Sequence, residues 1–420
     1  MPLTAFPHRR STHRLQRRPL GHYRYVRLRW RILFAIIDFL GGWIFKRVRR
    51  KPSGKTGDPR VILLVQLDHL GDAVLSIGFV AALHERWPTA TIEALASPSN
   101  QEIFAALPEV GRVYRCGANR FARGRLARLG WILGMVWWGL RLRLRGVDLG
   151  IDVRGEFPLA LLLWLSGAHT RLGWASGGGG FLLTHSPQYI NGRPEVDSRR
   201  ALLAELGITG AGRVDFCRPR FAPPADDRRR IAQRLAQTDA RPAGPLVVLH
   251  LGAGTQAKRW PAEHWRALLR RLRTEHDARV ILVGGANERV TAQSVRGLRG
   301  EAAVEDWTGQ ITLGELAALL EQADLLIGAD SGPAHLAAAV GTPVVALFSG
   351  TNRAQQWAPS GRNVCVVLHP VACSPCHRQH CPLPDHPCMA GLTPQRVSAA
   401  VTQSLSMKIP RRALAAVNPA

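Results

Sequence analysis

A short polar segment between two apolar runs is the first candidate for chemistry. Residues 328–348, GADSGPAHLAAAVGTPVVALF, place Asp330, Ser331, Gly332 and His335 just after the strand-like run ADLLI. We predict a helix beginning near Ser331, which Ser331 or Asp330 can cap. A helix start with free N–H groups, a hydroxyl and a glycine is suited to binding a diphosphate, and His335 would point to the same place. From these residues alone, a capped helix with a surface histidine is an equally good interpretation.

A glycine-containing loop, HLGAGTQAKRWPAEHW at residues 250–265, is the second candidate. It formally matches a dinucleotide-binding fingerprint, but its helix begins too late, near Pro261, and the next strand does not end on an acid at the usual separation. A nicotinamide-dependent dehydrogenase is therefore the least favoured class. Lys258, following Gly254 and Thr255, instead favours binding of an anionic phosphate group.

The third candidate is VQLDHLGDAVLS at residues 65–76, where a predicted strand passes into a predicted helix. Asp72 follows Gly71 at the start of that helix. An acid at this position can serve as the N-cap of the helix. Alternatively, it can serve as a general base that faces bound phosphates.

A cysteine-rich loop, residues 373–388, follows late in the chain. Its C-x2-C pair and two further cysteines are a candidate structural Zn or Fe site, and reduced, packed thiols are the favoured interpretation; the four are Cys373, Cys376, Cys381 and Cys388. The seven cysteines of the chain do not resemble a secreted disulfide framework, so we expect a cytoplasmic protein.

Strand and helix signals alternate from residue 60 onward, which predicts parallel sheets covered by helices on both faces. The alternation is interrupted by the Pro- and charge-rich stretch 218–230 and then begins again. We predict a basic arm at 1–55, an N-terminal acceptor-binding domain at 56–235 and a C-terminal nucleotide-sugar-binding domain at 236–420. Ligands are expected at the carboxyl ends of the strands. The glycine run at 177–180 is compatible with a mobile loop.

Positive charge is concentrated at the N-terminus. The formal net charge is +26, and residues 1–55 contain fifteen Lys and Arg but one acid, Asp38. The apolar stretch from Ile32 to Phe45 is too short for a confident transmembrane helix, and its Arg and Trp neighbours favour a helix lying on an anionic membrane. A nucleic-acid-binding or disordered arm is the alternative. A second basic, acid-free stretch at 121–146 strengthens the case for a lipid-facing side, although alone it is an ordinary buried helix.

Taken together, these motifs resemble glycosyltransferase family 9, the ADP-heptose:lipopolysaccharide heptosyltransferase group, from about residue 60 to about residue 405. The family patterns D-x-x-G-D, K-x-W-P and D-[ST]-G-x-x-H are matched at residues 68–72, 258–261 and 330–335. The G-A-x-x-E segment looks like Gly285-Ala286-Asn287-Glu288, which is one position shorter. The D-[ST]-G-x-x-H match is the most specific signal in the chain.

The resemblance implies an α/β GT-B fold, with two Rossmann-like parallel-sheet domains facing each other across a cleft. It also implies inverting transfer of a sugar, with heptose from ADP-heptose as the expected donor and Asp72 as the base. The expected donor-binding residues are Gly254, Thr255, Lys258, Glu288, Asp330, Ser331, Gly332 and His335. We further expect Gly71 and Arg154 to contact the acceptor. Because the sequence contains no D-x-D pair, we predict that catalysis needs no metal cofactor.

The expected partners are a nucleotide-diphosphate sugar, preferably an ADP-sugar, and a lipopolysaccharide core or related lipid-linked glycan. An anionic membrane surface is the third expected partner, and nucleic acid is not expected. These predictions describe a peripheral enzyme on the cytoplasmic face of the membrane. Two alternatives are a nucleotide-sugar epimerase on the same scaffold and a basic membrane- or nucleic-acid-binding protein without catalysis.

Overall fold

Two parallel β-sheets, one in each half of the chain, organise the structure. The computed structural model describes residues 23, 28–48, 57–117, 125–209, 219–237, 244–296 and 304–407. The chain divides into an N-terminal unit, residues 1–216, and a C-terminal unit, residues 217–420. Of the predicted basic arm, residues 1–22, 24–27 and 49–55 lie outside the described residues.

The sheet of the N-terminal unit has five parallel strands in the order β3-β2-β1-β4-β5. They are β1 (Val61–Gln66), β2 (Thr91–Ala96), β3 (Val110–Arg115), β4 (Leu149–Asp152) and β5 (Thr170–Gly173). The central strand β1, VILLVQ, is almost entirely buried, as expected for a parallel strand covered by helices on both faces. The strand order reverses between β1 and β4, so loops leaving these two strands diverge and create a crevice at their carboxyl ends.

The helices of the N-terminal unit include two long ones of 21 and 19 residues. The helices are α1 (Leu28–Val48), α2 (Leu70–Leu75), α3 (Ile77–Arg86), α4 (Gln101–Ala105), α5 (Arg125–Arg143), α6 (Phe157–Leu165) and α7 (Glu195–Glu205). The helix predicted to follow β1 is divided into α2 and α3 at Ser76. Among the described residues, no helix is both long enough and apolar enough to cross a membrane.

The sheet of the C-terminal unit has six parallel strands in the order β11-β10-β9-β6-β7-β8. They are β6 (Leu246–His250), β7 (Arg279–Val283), β8 (Val304–Asp306), β9 (Leu325–Ala329), β10 (Val344–Phe348) and β11 (Val364–Leu368). This is the doubly wound order of dinucleotide-binding folds, with the reversal between β6 and β9.

The helices of the C-terminal unit alternate with its strands, and those after β6 and β9 begin next to the predicted Pro261 and Ser331. The helices are α8 (Ala225–Ala236), α9 (Ala262–His276), α10 (Arg289–Arg296), α11 (Leu313–Gln322), α12 (Gly332–Val340), α13 (Ala354–Trp357), α14 (Pro387–Ala390) and α15 (Pro394–Ser406). Leu268, Leu272 and Val397 contribute to the apolar core between α9, α15 and the sheet.

Three details differ from the sequence-based predictions. The division between the units lies at residue 216, earlier than the predicted 235, because α8 belongs to the C-terminal unit. This helix packs on α11, and Arg228 forms a bidentate ion pair with Glu321, with both N–O distances 2.7 Å. The edge strands β5 and β11 were not predicted, since TRLG is too short to show a pattern. The glycine run at 177–180, predicted as a mobile loop, is buried.

Candidate active site

The carboxyl ends of β6 and β9 bring together the first group of polar side chains. His250 is the last residue of β6, and Ser331 Oγ lies 3.2 Å from its Nδ1. Ser331 is the N-cap residue of α12, as predicted, but its side chain makes no capping hydrogen bond and donates to the carbonyl of Ala329 at 3.0 Å. Ser331 thus occupies the predicted N-cap position, and its hydroxyl is bonded to the end of β9 and not to a helix N–H.

Two histidines near this edge are buried. Burial lowers the pKa of His250 to about 4, so that its imidazole is neutral at physiological pH. His335, in the first turns of α12, is only 5% exposed, which rules out the alternative of a surface histidine.

An ion pair joins the glycine loop to the start of α12. Lys258 Nζ lies 2.5 Å from Asp330 Oδ2 and donates to the Asp330 carbonyl at 3.4 Å. Asn352 Nδ2 donates to the same carboxylate oxygen at 3.0 Å. The structure thus unites the predicted residues Lys258 and Asp330, and it adds Asn352, which no sequence motif had indicated.

Glu288 lies over the carboxyl ends of β6 and β7. Its Oε2 accepts a hydrogen bond from the backbone N–H of Gly285 at 2.9 Å. A Cβ atom at Gly252 or Gly284 would lie 3.1 Å or 3.0 Å from the Glu288 side chain, so these glycines allow the carboxylate to lie against the loops. Arg259 is 4.0 Å away. Glu288 is therefore at the same sheet edge as the Lys258–Asp330 pair.

The remaining predicted donor residues lie on the loop after β6. Gly254 is exposed, and Thr255 Oγ1 is buried without a hydrogen-bond partner among the described residues. Thr308, which follows β8, has a hydroxyl in the same state. A buried hydroxyl without a partner is energetically costly, so each is available to a ligand.

In the N-terminal unit, Asp72 occupies the first turn of α2, which follows β1. The N-cap residue is His69, so Asp72 does not cap the helix, and its side chain is 11% exposed. Arg199 of α7 donates to the Asp72 carbonyl at 3.1 Å, and its Nη2 lies 3.7 Å from Asp72 Oδ1. Arg199 also donates to Ser76 Oγ at 2.9 Å, and Ser76 Oγ donates to Gln66 Oε1 at 3.0 Å. Arg199 thereby contacts both the backbone carbonyl and the carboxylate of Asp72.

The predicted acceptor residues lie close to Asp72. Gly71 is buried beside it in α2, and Arg154 is in the turn after β4, with its Nε 3.5 Å from Asp68 Oδ1 and 3.7 Å from Glu156 Oε1. Burial alone lowers the pKa of Arg154, but neighbouring carboxylates outweigh it and raise that pKa; they are Asp68, Asp72, Glu156 and Glu195. Arg154 is therefore a permanent cation within an acidic cluster.

Asp152, the last residue of β4, fixes the turn that carries Arg154. Its carboxylate accepts backbone hydrogen bonds from Arg154, Gly155 and Glu156 at 2.8, 3.0 and 3.2 Å. Burial raises the pKa of Asp152 to about 6, although these three bonds act in the opposite direction. These hydrogen bonds hold the backbone of Arg154 against the end of β4.

The pKa of Asp72 is raised to about 6, mainly by burial and secondly by the charge of Asp68. Arg154 and Arg199 oppose this shift because they stabilise the carboxylate. A carboxyl with this pKa is ionised at neutral pH and is still a much better proton acceptor than an exposed aspartate, as a general base requires.

Arg199 and Glu195 were not predicted to belong to this site. Glu195 accepts from Arg199 Nη1 at 3.5 Å and from the Tyr189 hydroxyl at 2.6 Å. Their spacing of four residues on α7 is common to many surface helices, so it gave no specific signal.

The cysteine-rich loop supports the turn that carries Lys258. Ala257 donates to the Gln379 carbonyl at 3.0 Å, His386 Nε2 lies 3.1 Å from the Ala257 carbonyl, and the Cys381 N–H donates to Gln256 Oε1 at 3.3 Å. Within the part of the chain that the structure describes, no group of three or more His, Cys, Asp or Glu is arranged to hold a metal ion. The candidate Zn or Fe site on Cys373, Cys376, Cys381 and Cys388 is therefore not supported. Hydrogen bonds to residues 256 and 257 attach this loop to the rest of the unit.

Comparison with known proteins identifies relatives of the chain. Residues 137–386 match the model of glycosyltransferase family 9 (heptosyltransferase). The chain is 30% identical to lipooligosaccharide heptosyltransferase 2 of Campylobacter jejuni over 142 residues, 34% of this chain and 44% of that protein. It is 25% identical to lipopolysaccharide heptosyltransferase 3 of Escherichia coli over 309 residues, 70% of this chain and 84% of that protein.

The fold has solved counterparts. The structure of Escherichia coli ADP-heptose lipopolysaccharide heptosyltransferase II matches with a TM-score of 0.65 at 21% identity, covering 82% of this chain and 98% of that one. This likeness confirms the predicted GT-B class and, at this level of identity, concerns the fold alone.

Proposed function

Since the chain belongs to glycosyltransferase family 9, we propose that it transfers heptose from ADP-heptose onto a lipopolysaccharide core or related lipid-linked glycan. The named relatives are lipopolysaccharide and lipooligosaccharide heptosyltransferases, and one solved counterpart is named for ADP-heptose. The observation that carries the proposal is Asp72, a buried carboxyl with a pKa of about 6 beside two arginines.

In the proposed reaction, Asp72 accepts the proton of the acceptor hydroxyl while the oxygen of that hydroxyl attacks the anomeric carbon of the donor. The bond between that carbon and the diphosphate oxygen breaks, ADP leaves, and the configuration at the carbon is inverted. Arg199 holds the Asp72 backbone and favours its ionised form. Arg154 would pair with an anionic or hydroxyl-rich part of the acceptor.

The donor would bind at the carboxyl edge of the C-terminal sheet. Lys258 and the first turn of α12 would meet the diphosphate, because an ammonium group and free N–H groups both stabilise the charge that develops on the leaving ADP. Asp330 orients the Lys258 ammonium. Glu288, Thr255 and Thr308 would contact the ribose or the base through hydrogen bonds.

We place the reaction at the cytoplasmic face of the membrane, where a lipid-linked acceptor is made available. An acceptor attached to a lipid is presented at a bilayer surface, and the enzyme must reach it there.

A panel of nucleotides and nucleotide sugars in a thermal-shift assay tests the donor assignment. ADP and ADP-sugars should raise the melting temperature, since a ligand that binds the folded state stabilises it. The same compounds should give a smaller shift with Lys258→Met. Shifts with UDP or GDP compounds and none with ADP compounds would reject heptose transfer from ADP-heptose.

A further inference from the structure

Exposed apolar side chains are concentrated in one part of the N-terminal unit. Of the twenty-one large apolar side chains that lie exposed among the described residues, sixteen belong to this part. Eight are on α1, seven are on α5 or directly after it, and the other is Trp164 of α6. Protein surfaces usually carry such side chains singly, and a contiguous group marks an interaction site.

One face of α1 is docked on the N-terminal unit. Phe34 and Phe45 contact Phe157 and Trp164 of α6, with ring centroids 6.1 and 5.3 Å apart. On the same face, Asp38 Oδ1 accepts a hydrogen bond from the Gly179 N–H at 2.7 Å. This helix is therefore an integral part of the unit and not a detached arm.

The opposite face of α1 is apolar and exposed. Its side chains recur at positions 32, 36, 39 and 43 and at 33, 40 and 44, which is the spacing of one helical stripe. They are Ile32, Leu33, Ile36, Phe39, Leu40, Trp43 and Ile44, each between 41% and 63% exposed. A helix that is apolar on both sides needs a partner for its free side.

The second long helix, α5, has the same construction. Trp131, Met135 and Leu142 are buried in the core, and Gly139 lies against Leu162 and Leu165 of α6, where a Cβ atom would not fit. The outer side presents a second apolar stripe, which consists of Leu126, Leu129, Ile132, Leu133, Trp137 and Leu140. Both α1 and α5 contact α6, the helix that carries the exposed Trp164, so the two outer stripes belong to the same part of the unit.

The charges around these stripes are positive. Arg128, Arg141 and Arg143 of α5 are exposed, and the Arg141 guanidinium lies over the Trp137 ring at 5.2 Å. Residues 121–146 contain no acid, and the one acid of α1, Asp38, is directed inward. Apolar side chains next to arginine and tryptophan suit the boundary between acyl chains and anionic headgroups. A nucleic acid would pair with the arginines but leave the aliphatic stripes in water.

We infer that the outer faces of α1 and α5 form one surface that binds an anionic lipid bilayer. The apolar stripes enter the acyl–headgroup boundary, and the arginines contact lipid phosphates. Because the surface is built on the unit that carries Asp72 and Arg154, it brings that unit to a lipid-linked acceptor. The inference goes beyond the proposed function and does not depend on the identity of the sugar.

Vesicle flotation with the full chain tests this surface. Wild-type protein should float with phosphatidylethanolamine–phosphatidylglycerol vesicles and bind pure phosphatidylcholine less, with the difference reduced by salt. Phe39→Ser/Trp43→Ser on α1 and Leu133→Ser/Trp137→Ser on α5 should each lower partitioning about ten-fold or more, as expected for losing two buried side chains. The matched control Val290→Ser/Leu383→Ser removes two exposed apolar side chains of the C-terminal unit and should bind like wild type.

Circular dichroism and an unchanged thermal shift with ADP establish that each variant is folded. Undiminished vesicle binding by the α5 variant would overturn the two-helix surface, and failure of wild-type protein to float would overturn lipid as the partner. A wild-type dimer that both outer-face variants convert to monomers, with vesicle binding unaltered, would instead assign the surface to a second copy of the chain.

Discussion

At the residue scale, two buried aspartates of the N-terminal unit share a pKa of about 6 but have different surroundings. Asp152 has its carboxylate occupied by three backbone N–H groups. At Asp72, the charge of Asp68 raises the pKa of the carboxyl, and the charges of Arg154 and Arg199 lower it. Asp72 is therefore the carboxyl that fits the proposed role of base, whereas Asp152 holds a turn.

This balance predicts the acid side of the pH–rate profile. Because Asp72 must be ionised to accept a proton, kcat/KM should rise about ten-fold per pH unit below pH 6 and level off above it. Initial rates over a pH series test this prediction. Its folded-state pKa lies above the ordinary value of 3.8, so ionisation of Asp72 costs stability as the pH rises from about 4 to about 6. Asp72→Asn should remove that cost and leave the protein folded.

Replacing Arg199 should move the same profile. Arg199→Met removes a cation that stabilises the Asp72 carboxylate, so the acid limb should shift upward by roughly half to one pH unit. Arg199→Lys should shift it less. An unchanged limb in folded Arg199→Met protein would show that Arg199 only links α7 to α2.

Lys258 should act mainly on the donor. Lys258→Met removes the ammonium group that pairs with Asp330, and we expect the Kd for ADP to rise about ten- to hundred-fold. Titration calorimetry gives the value directly. Affinity equal to that of wild-type protein would place the diphosphate elsewhere.

Local motifs predicted Asp72, Lys258 and Asp330 because each lies on the segment that follows a strand, and the strand's position follows from the hydrophobic pattern. Arg199 and Asn352 could not be predicted in this way. They reach the two sites from α7 and from the loop after β10, and only the packing of those elements determines which polar atoms they meet.

At the element scale, the glycine run at 177–180 connects α1 with the turn that carries Arg154. Gly179 donates to Asp38 of α1, and Gly177 lies so close to the carbonyl of Gly155 that a Cβ atom would overlap it. Gly155 itself has a φ of +75° and lies between Arg154 and Glu156. The glycine run at 177–180 therefore specifies close packing, which composition alone could not distinguish from mobility.

Gly177→Ala should consequently destabilise the N-terminal unit by about 2–3 kcal/mol, because the overlapping atom belongs to the backbone and cannot turn away. Urea unfolding measures this loss. Gly130→Ala on α5 is a matched control, since no atom lies within 4 Å of its added methyl group, and it should be neutral or stabilise by about 0.5–1 kcal/mol. Equal stabilities of the two variants would contradict the packing of this loop.

At the scale of the whole molecule, each unit repeats one plan: a doubly wound sheet with its polar residues at the strand-order reversal. The alternation of strands and helices was sufficient to predict this plan, and the family motifs assigned a role to each unit. The sequence predicted membrane-facing helices in the regions of α1 and α5, but it did not predict which face of each helix is exposed. Apolar residues occur on both faces of each helix, and only the fold shows which face is covered.

Transfer by the purified protein is the most direct test of the central claim. With ADP-heptose and a heptose-deficient lipopolysaccharide core, wild-type protein should release ADP and add one heptose to the acceptor, as followed by mass spectrometry. Asp72→Asn should bind ADP normally and lose about 10²- to 10⁴-fold of the rate. Turnover by Asp72→Asn equal to that of wild-type protein, or conversion of the nucleotide sugar without acceptor, would contradict the account.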